Sequence, residues 1–182
     1  MKDRRKIILE AGLAILREQG LAGLTQPRIA AKTGLRQSHL TYYYPTRADL
    51  LTAVARVAIE GQLRAVKGLV SGASSPERAA DRIASAAVQH DNTRLLAALN
   101  QAADQEPAVR KLFGELLDGF VTELGRLLDD LKLSPNRARI DLIHALFVGL
   151  AIIDLATGRR GGKRHAKVVL TLAFDLLSGE RQ

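Results

Sequence analysis

The stretch IAAKTGLRQSHLTYYYPTRADLL, residues 29–51, decides how this chain folds. Gly34 interrupts a helical pattern of apolar residues, because glycine readily adopts the left-handed conformation that ends a helix. Pro45 ends the next helical pattern, since the residue before a proline is pushed out of helical geometry. Residues 24–44 therefore have the layout of a helix-turn-helix, with a second helix of about nine residues. In such motifs the second helix enters the major groove of DNA.

The three tyrosines of the chain, Tyr42, Tyr43 and Tyr44, are consecutive, and the sequence contains no tryptophan. Three adjacent residues on a helix fan over roughly 200°, so they cannot share one core face. Tyr44 lies four residues after Leu40, and both are expected to face the core, with the Tyr44 hydroxyl at its edge. Tyr42 is expected on the exposed face. The alternative is a hydrophobic hinge of all three rings, which leaves two phenol groups unexplained.

This stretch resembles the signature of the TetR (tetracycline-repressor) family, roughly I-A-x-x-A-G-V-S-x-x-x-L-Y-x-Y-F-x-S-K-x-x-L. The residues in register are Ile29, Ala30, Gly34, Leu40, Tyr43, Pro45 and Leu50. Tyr44 replaces the usual Phe, and Arg47 replaces the usual Lys. The preceding helix also matches in spacing, so the resemblance covers about the first 50 residues. It implies an all-α protein, with an N-terminal three-helix DNA-binding domain and a C-terminal helical domain for ligand binding and dimerisation.

Two residues of the second helix depart from the family pattern. Arg36 stands where the family usually has a serine N-cap, and a cation there opposes the helix dipole at a cost of about 0.5–2 kcal/mol. That cost is understandable if the guanidinium reaches a phosphate or a base edge, with guanine as its usual bidentate partner. Thr41 stands where the family typically places a DNA-contacting tyrosine. The ring is displaced by one position to Tyr42, so contacts carried over to residues 41–43 are uncertain by one residue.

The motif and the resemblance together indicate which side chains contact DNA. Those expected to face base edges are Arg36, Gln37, Ser38, His39 and Thr41. Those expected to hold phosphates are Thr25, Gln26, Arg28, Tyr42, Tyr43 and Arg47. Flanking contacts are expected from Lys2, Arg4, Arg5 and Lys6.

The charge of the chain is uneven. Residues 1–70 contain 12 Lys and Arg against 5 Asp and Glu, whereas residues 71–182 contain 15 against 14. The net +7 of the first segment favours a polyanion-binding module joined to a nearly neutral remainder. A solvated charged surface would give the same composition.

The composition also predicts a cytoplasmic location. The chain has no cysteine, which excludes disulfides and thiolate metal sites. No apolar run approaches the roughly 20 residues of a membrane span, and we expect no membrane partner. The N-terminal segment MKDRRKIILEAGL is basic and then apolar, as in a signal peptide. Asp3 and Glu10 interrupt it at helical spacing, so we interpret it as an amphipathic helix of a soluble domain.

Nearly the whole chain shows helical periodicity, and the breaks divide it into about nine helices. Thr46 and Asp49 have the spacing of a capping box, with Asp in place of the usual Glu. Ser134 is predicted as the N-cap of a long apolar helix that ends at Gly158. The closing helix is predicted to begin at His165.

The domain boundary is expected at residues 61 and 62, with a helix-turn-helix domain over 1–61 and an effector-binding and dimerisation domain over 62–182. The resemblance implies a homodimer formed by the last two helices. Small residues and an apolar circumference in the span 140–157 agree with close helix packing. The expected interface residues are Ala145, Gly149, Ile152, Ile153, Ala156, Leu170, Phe174 and Leu177. The alternative is that these residues form a core within one chain.

The effector pocket implied by the resemblance is expected among the middle helices. The candidate residues are polar or aromatic groups on otherwise apolar stretches: His90, Asn100, Gln101, Asp104, Phe113, Phe120, His144 and Phe147. The alternative is that each is a satisfied core or surface group, which is the more common role of such residues. Because the chain has few aromatic residues, a mainly aliphatic cavity is favoured over a stacked aromatic cage. The sequence does not identify the effector.

The sequence contains no catalytic, metal-binding or cofactor-binding motif. Its four histidines are scattered, and neither a glycine-rich phosphate loop nor a serine elbow is present. We therefore expect a regulator of transcription rather than an enzyme, most simply a repressor that binds a palindromic operator as a homodimer and is released by a small molecule. The alternative is a basic helical bundle that binds a membrane surface or a protein partner without specific DNA recognition.

Overall fold

A computed structural model describes residues 3–158 and 160–179, and over these residues all regular structure is helical. The bounds of the nine helices are α1 Arg4–Gly23, α2 Gln26–Thr33, α3 Gln37–Tyr43, α4 Arg47–Val70, α5 Pro76–Ala87, α6 His90–Gln105, α7 Pro107–Asp130, α8 Arg137–Thr157 and α9 Gly162–Gly179. The expected all-α fold is confirmed. Lys2, which was expected to flank DNA, lies outside the described residues.

The chain divides into two compact units. The first contains Met1–Gln62 and Arg94–Leu116, and the second contains Leu63–Thr93 and Leu117–Gln182. The first unit therefore includes residues 94–116, which the sequence analysis placed in the second domain. The helices α4, α6 and α7 have residues in both units.

The first unit is organised around apolar side chains from α1 to α4. Ile8, Leu16, Ile29, Leu40 and Leu50 are all fully buried. In sequence order, α1 packs on α2 and α2 packs on α3. Because helices of seven or eight residues are marginal in isolation, α2 and α3 depend on this burial for their stability.

Glycines and a capping box shape the helices of the first unit. Gly20 has a left-handed φ of 66° and interrupts the helical geometry of α1. Gly34 has φ 70° and ψ 8° and ends α2. The predicted capping box is present at the start of α4: the Thr46 amide donates to Asp49 Oδ2 at 3.0 Å, and the Asp49 amide donates to Thr46 Oγ1 at 3.0 Å. These two bonds satisfy amide donors that the helix leaves open.

In the second unit, α9 packs along α5, and α8 contacts both. Asp154, near the end of α8, is only 8% exposed, and its Oδ2 lies 2.8 Å from His90 Nε2. Its Oδ1 lies against Gly162 at the start of α9, in the space that a Cβ would occupy. A negative charge at a helix N-terminus is favourable, so the Asp154 carboxylate joins the end of α8 to the start of α9.

The ends of α8 and α9 correct two sequence predictions. The N-cap of α8 is Asn136, whose side chain accepts from the Arg139 amide at 2.9 Å; the prediction of Ser134 was wrong. Ser134 has a left-handed φ of 47° and lies in the turn before the helix. The closing helix begins at Gly162 rather than His165.

The aromatic side chains of α7 and α8 form a cluster in the second unit. The rings of Phe120 and His144 are stacked with centroids 5.0 Å apart, and Phe147 is 6.0 Å from Phe120. Burial lowers the pKa of His144 below its ordinary value; the carboxylate of Asp141 opposes this shift. The imidazole is therefore held in its neutral form against the phenyl ring.

By length and composition, α8 could cross a membrane, although the sequence analysis found no such run. One helix of this kind is weak evidence, because the apolar helices of helical bundles have the same properties. Here α8 packs on α5 and α9.

The close approach of α1 and α4 predicts a large effect of a small substitution. A Cβ at Gly12 would lie 2.6 Å from Val54 Cγ2, and a β-branched side chain in a helix has little rotameric freedom to move away. We expect Gly12→Ala to destabilise the protein by about 1–3 kcal/mol in urea unfolding. Gly114→Ala, in α7 with open space around it, is the control and should be neutral or stabilising by up to about 1 kcal/mol. Equal effects of the two substitutions would contradict this packing.

The position of His144 predicts the direction of a pH effect. Because its pKa is lowered in the folded state, the unfolded chain binds a proton more readily, and stability should fall as the pH drops below the ordinary histidine value of about 6.5. We expect His144→Phe, which keeps a ring against Phe120, to reduce the loss of stability on acidification. Thermal unfolding between neutral and mildly acidic pH measures this. A pH dependence identical to that of the unsubstituted chain would show that His144 is not desolvated.

Candidate nucleic-acid interface

The helix α3 is attached to the first unit by one buried residue and presents its other faces to solvent. Leu40 is fully buried. Gln37, Ser38 and Thr41 are exposed, and Tyr42 is 81% exposed. The helix thus offers a continuous polar and aromatic surface that could fit a groove of DNA.

The turn between α2 and α3 is held by its own side chains. The Gly34 amide donates to the carbonyl of Ala30 at 2.9 Å. The Thr33 hydroxyl donates to the Ile29 carbonyl at 2.8 Å and accepts from the Leu35 amide at 3.3 Å. These bonds satisfy the backbone groups that the end of α2 leaves open, and they fix the point from which α3 departs.

Gln26, at the start of α2, connects the two helices of the motif. Its Nε2 donates to the Tyr44 carbonyl at 2.9 Å, and its Oε1 accepts from the Thr41 hydroxyl at 3.4 Å. The Thr41 hydroxyl also lies 3.1 Å from the Gln37 carbonyl. The sequence analysis expected Gln26 to hold a phosphate, but in this structure its amide fixes the position of α3 against α2.

Arg36 occupies the N-cap of α3, and its side chain makes no capping hydrogen bond. Its side chain is exposed at the N-terminus of α3. His39, which was also expected to face base edges, is half-buried, and its Nδ1 is buried without a hydrogen-bond partner. Arg36 is therefore more accessible to a ligand than His39.

The three tyrosines occupy three different environments. Tyr42 is exposed, Tyr43 is half-buried and Tyr44 is half-buried at the C-cap of α3. The rings of Tyr42 and Tyr43 meet edge to face at 5.1 Å, and the Arg5 guanidinium lies 5.3 Å from the Tyr43 ring centroid. Burial raises the pKa of Tyr44, and the charge of Arg5 opposes this shift. Because Tyr42 is exposed, the alternative of a hydrophobic hinge made of all three rings is wrong.

The remaining predicted phosphate contacts lie around the motif. Arg28 Nη1 donates to Gln19 Oε1 at 2.5 Å, and Arg47 Nη2 lies 3.5 Å from the Leu21 carbonyl. Both arginines are exposed. Thr25 is the N-cap of α2, and its hydroxyl makes no capping bond. Thr25 and Arg28 precede α3 in the chain and Arg47 follows it, and the two arginines lie at the surface of the first unit.

The candidate effector residues fall into both units. In the first unit, Asn100, Gln101 and Asp104 are exposed on α6, and Phe113 of α7 is half-buried. In the second unit the structure brings together Phe120, His144 and Phe147. His90 instead pairs with Asp154, a buried carboxylate that the sequence analysis missed. The sequence feature that could have indicated this buried carboxylate is a single acidic residue, Asp154, within an apolar helical stretch.

The predicted interface residues of α8 lie at the surface, whereas those of α9 do not. Ala145, Ile152, Ile153 and Ala156 are exposed, and Gly149 is half-buried. On α9 the predicted residues Leu170, Phe174 and Leu177 are buried in the core of the second unit.

The apolar residues that α9 leaves at the surface are different ones. Val168, Leu172 and Leu176 recur every four residues, and each is more than half exposed. They lie on one face of the helix, since residues four apart are neighbours on a helix surface. An interface on α9 would therefore use Val168, Leu172 and Leu176 in place of the three buried residues.

Within the described residues, no three His, Asp or Glu side chains are grouped as metal ligands. The polar groups of the first unit are those of a binding surface: exposed amides, hydroxyls and guanidinium groups around one short helix.

Comparison with known proteins identifies this surface. Residues 8–54 match the sequence profile of "Bacterial regulatory proteins, tetR family". A comparison with curated proteins gives no match. Among solved structures, a transcriptional regulator from Rhodococcus sp. Rha1 has 17% identity and a TM-score of 0.79, and the alignment covers 96% of each chain.

Two further structures share more of the sequence. A member of the TetR family from Streptomyces coelicolor A3 has 25% identity and a TM-score of 0.72, with 94% of this chain and 98% of that chain covered. The multidrug binding protein EbrR complexed with ethidium has 26% identity and a TM-score of 0.69, with the same coverage. The matched family is one of regulatory proteins, which supports the interpretation of a regulator rather than an enzyme. Residues 8–54, which contain α2 and α3, are therefore similar to the bacterial regulatory proteins of the tetR family, and the surface built around α3 is the helix-turn-helix of a DNA-binding transcriptional regulator.

Proposed function

We propose that the protein is a cytoplasmic repressor that binds a palindromic operator as a homodimer and releases it when a small molecule binds. The observation that carries the proposal is the exposure of one face of α3 while Leu40 is fully buried. That arrangement leaves side chains of both hydrogen-bonding and aromatic character free to meet base edges and phosphates.

Base reading is assigned to the exposed N-terminal part of α3. Arg36 offers a planar pair of donors, which suits the two acceptors of guanine in the major groove. Gln37, Ser38 and Thr41 follow on the exposed side of the helix, and the half-buried His39 contributes from its accessible edge. Phosphate contacts come from Thr25, Arg28, Tyr42, Tyr43 and Arg47, with Gln26 acting through the position of α3.

Dimerisation is assigned to the exposed apolar faces of α8 and α9. Leu142, Ile152 and Ile153 on α8 are each more than two fifths exposed, and Leu172 and Leu176 on α9 are more exposed still. A surface of this kind is unfavourable in a monomer. Two copies related by a two-fold axis would bury it as a four-helix interface and would present two recognition helices to one palindrome.

Release by an effector is the part of the proposal that draws on relatives. EbrR is a multidrug binding protein whose structures contain proflavin and ethidium. In this chain we assign the effector site to the middle helices, with Phe120, His144 and Phe147 as its aromatic part. A ligand releases DNA only if it binds the DNA-free conformation more tightly, so the coupling must be reciprocal.

The reading of DNA by α3 predicts a strong effect of two substitutions. The probe is the duplex that the unsubstituted protein selects from a random-sequence library. We expect Arg36→Ala combined with Tyr42→Ala to weaken binding about ten- to hundredfold in a gel shift, as expected for loss of one bidentate base contact and one backbone contact. Arg56→Ala, an exposed arginine on α4 outside the assigned contacts, is the matched control and should bind normally.

Unchanged binding by the double variant would remove the assignment of α3 to the groove. Failure of the library to yield any preferred sequence would contradict specific DNA recognition altogether and would favour a membrane or protein partner.

The proposed interface predicts a change of oligomeric state. We expect Leu172→Glu to convert the protein from dimer to monomer in sedimentation equilibrium, because the two-fold axis brings two new carboxylates to the same apolar interface. Leu117→Glu, which changes a 42% exposed leucine on α7, is the control and should remain dimeric. An unsubstituted chain that is monomeric, or a Leu172→Glu variant that is dimeric, would exclude this interface.

A further inference from the structure

The end of α3 carries a contact that the assignment of base and phosphate contacts does not use. Arg5, in the first turn of α1, places its guanidinium 5.3 Å from the centroid of the Tyr43 ring. The Tyr43 ring in turn receives the Tyr42 ring edge to face at 5.1 Å, with the ring planes at 80°. The three side chains form a continuous chain of contacts from α1 to the exposed end of α3.

We propose that Arg5 is a positioning residue for DNA binding, which acts through Tyr43 by holding the two tyrosine rings in the orientation that meets the DNA backbone. This inference rests on the proposed function, because it assumes that α3 binds DNA. It assigns to Arg5 an action through the ring, in place of the flanking DNA contact expected from the sequence.

The backbone of Arg5 is fixed at the start of α1. Asp3 is the N-cap, and its Oδ1 accepts from the Arg5 amide at 3.0 Å. The Ile7 amide donates to the Asp3 carbonyl at 3.1 Å. The Arg5 side chain therefore starts from a fixed backbone position. Burial raises the pKa of Tyr44, and the positive charge of Arg5 opposes that rise.

The end of α3 is where such support is needed. Tyr43 is the last residue of a seven-residue helix. The next residue, Tyr44, is not helical, with φ −137° and ψ 84°. Tyr42 is 81% exposed. Side chains in such positions occupy several rotamers, and ordering them on binding reduces affinity. A cation over the Tyr43 ring limits this freedom before DNA arrives.

A direct phosphate contact by Arg5 is the competing explanation, and it has a different thermodynamic signature. A residue that acts through Tyr43 has no effect on affinity once the ring is absent. A residue that binds a phosphate keeps its effect, and its removal lowers the slope of log K against log salt concentration by about one.

A double-mutant cycle separates the two explanations. The probe is the duplex selected by the unsubstituted protein, and the variants are Arg5→Gln, Tyr43→Leu and their combination. We expect Arg5→Gln to weaken binding about two- to fivefold, the factor of a cation–π interaction at an exposed site. In the Tyr43→Leu background it should have no further effect. Arg5→Lys, which keeps a cation, should restore most of the affinity, and Tyr43→Phe, which keeps the ring, should retain the dependence on Arg5.

Arg4→Gln is the matched control, since it removes the same charge one residue away. Its effect, whatever its size, should be the same with and without Tyr43→Leu. Additive effects of Arg5→Gln and Tyr43→Leu, a salt slope lowered by about one, or normal affinity of Arg5→Gln would each overturn the inference while leaving the proposed function intact. If the unsubstituted protein selects no duplex, the proposed function fails and the inference fails with it.

Discussion

The burial of Leu40 determines which face of α3 meets solvent, and the DNA-binding surface depends on that choice. A helix of seven residues has little stability of its own, so its orientation comes from the core that receives this side chain. The Gln26 amide adds a second constraint, since it bonds to the Tyr44 carbonyl and lies within reach of Thr41. Together they hold α3 against α2 while the groups that would read DNA remain exposed.

Much of the first unit could be predicted from the sequence because its signals are local. Gly34 ends α2, and Thr46 and Asp49 cap α4, as their residue types and spacing indicated. The contact of Arg5 with Tyr43 could not be predicted, because it joins residues far apart in the chain through side-chain geometry. The same holds for Gln26, which was expected to contact DNA and instead bonds within the motif.

The second unit shows where local signals fail. Ser134 and Asn136 are both good N-caps, and the left-handed φ of Ser134 decides between them. The resemblance implied that Leu170 and Phe174 lie at an interface between chains, but both are buried within the second unit, where α9 packs on α5, and Leu172 is exposed. Periodicity identifies an amphipathic helix, whereas the partner of each face is fixed only by tertiary structure. For the same reason, the sequence could not show which of the candidate effector residues lie close together.

In the proposed complex, α3 enters the major groove with Arg36 facing guanine. Methylation interference on the selected duplex tests it most directly, because methyl groups at guanine N7 lie in the major groove and those at adenine N3 lie in the minor groove. We expect methylation at guanine N7 to prevent binding in two symmetric half-sites whose centres are about 34–36 Å apart, or a multiple of that distance. Interference from adenine N3 alone, or from a single site without a symmetric counterpart, would contradict it.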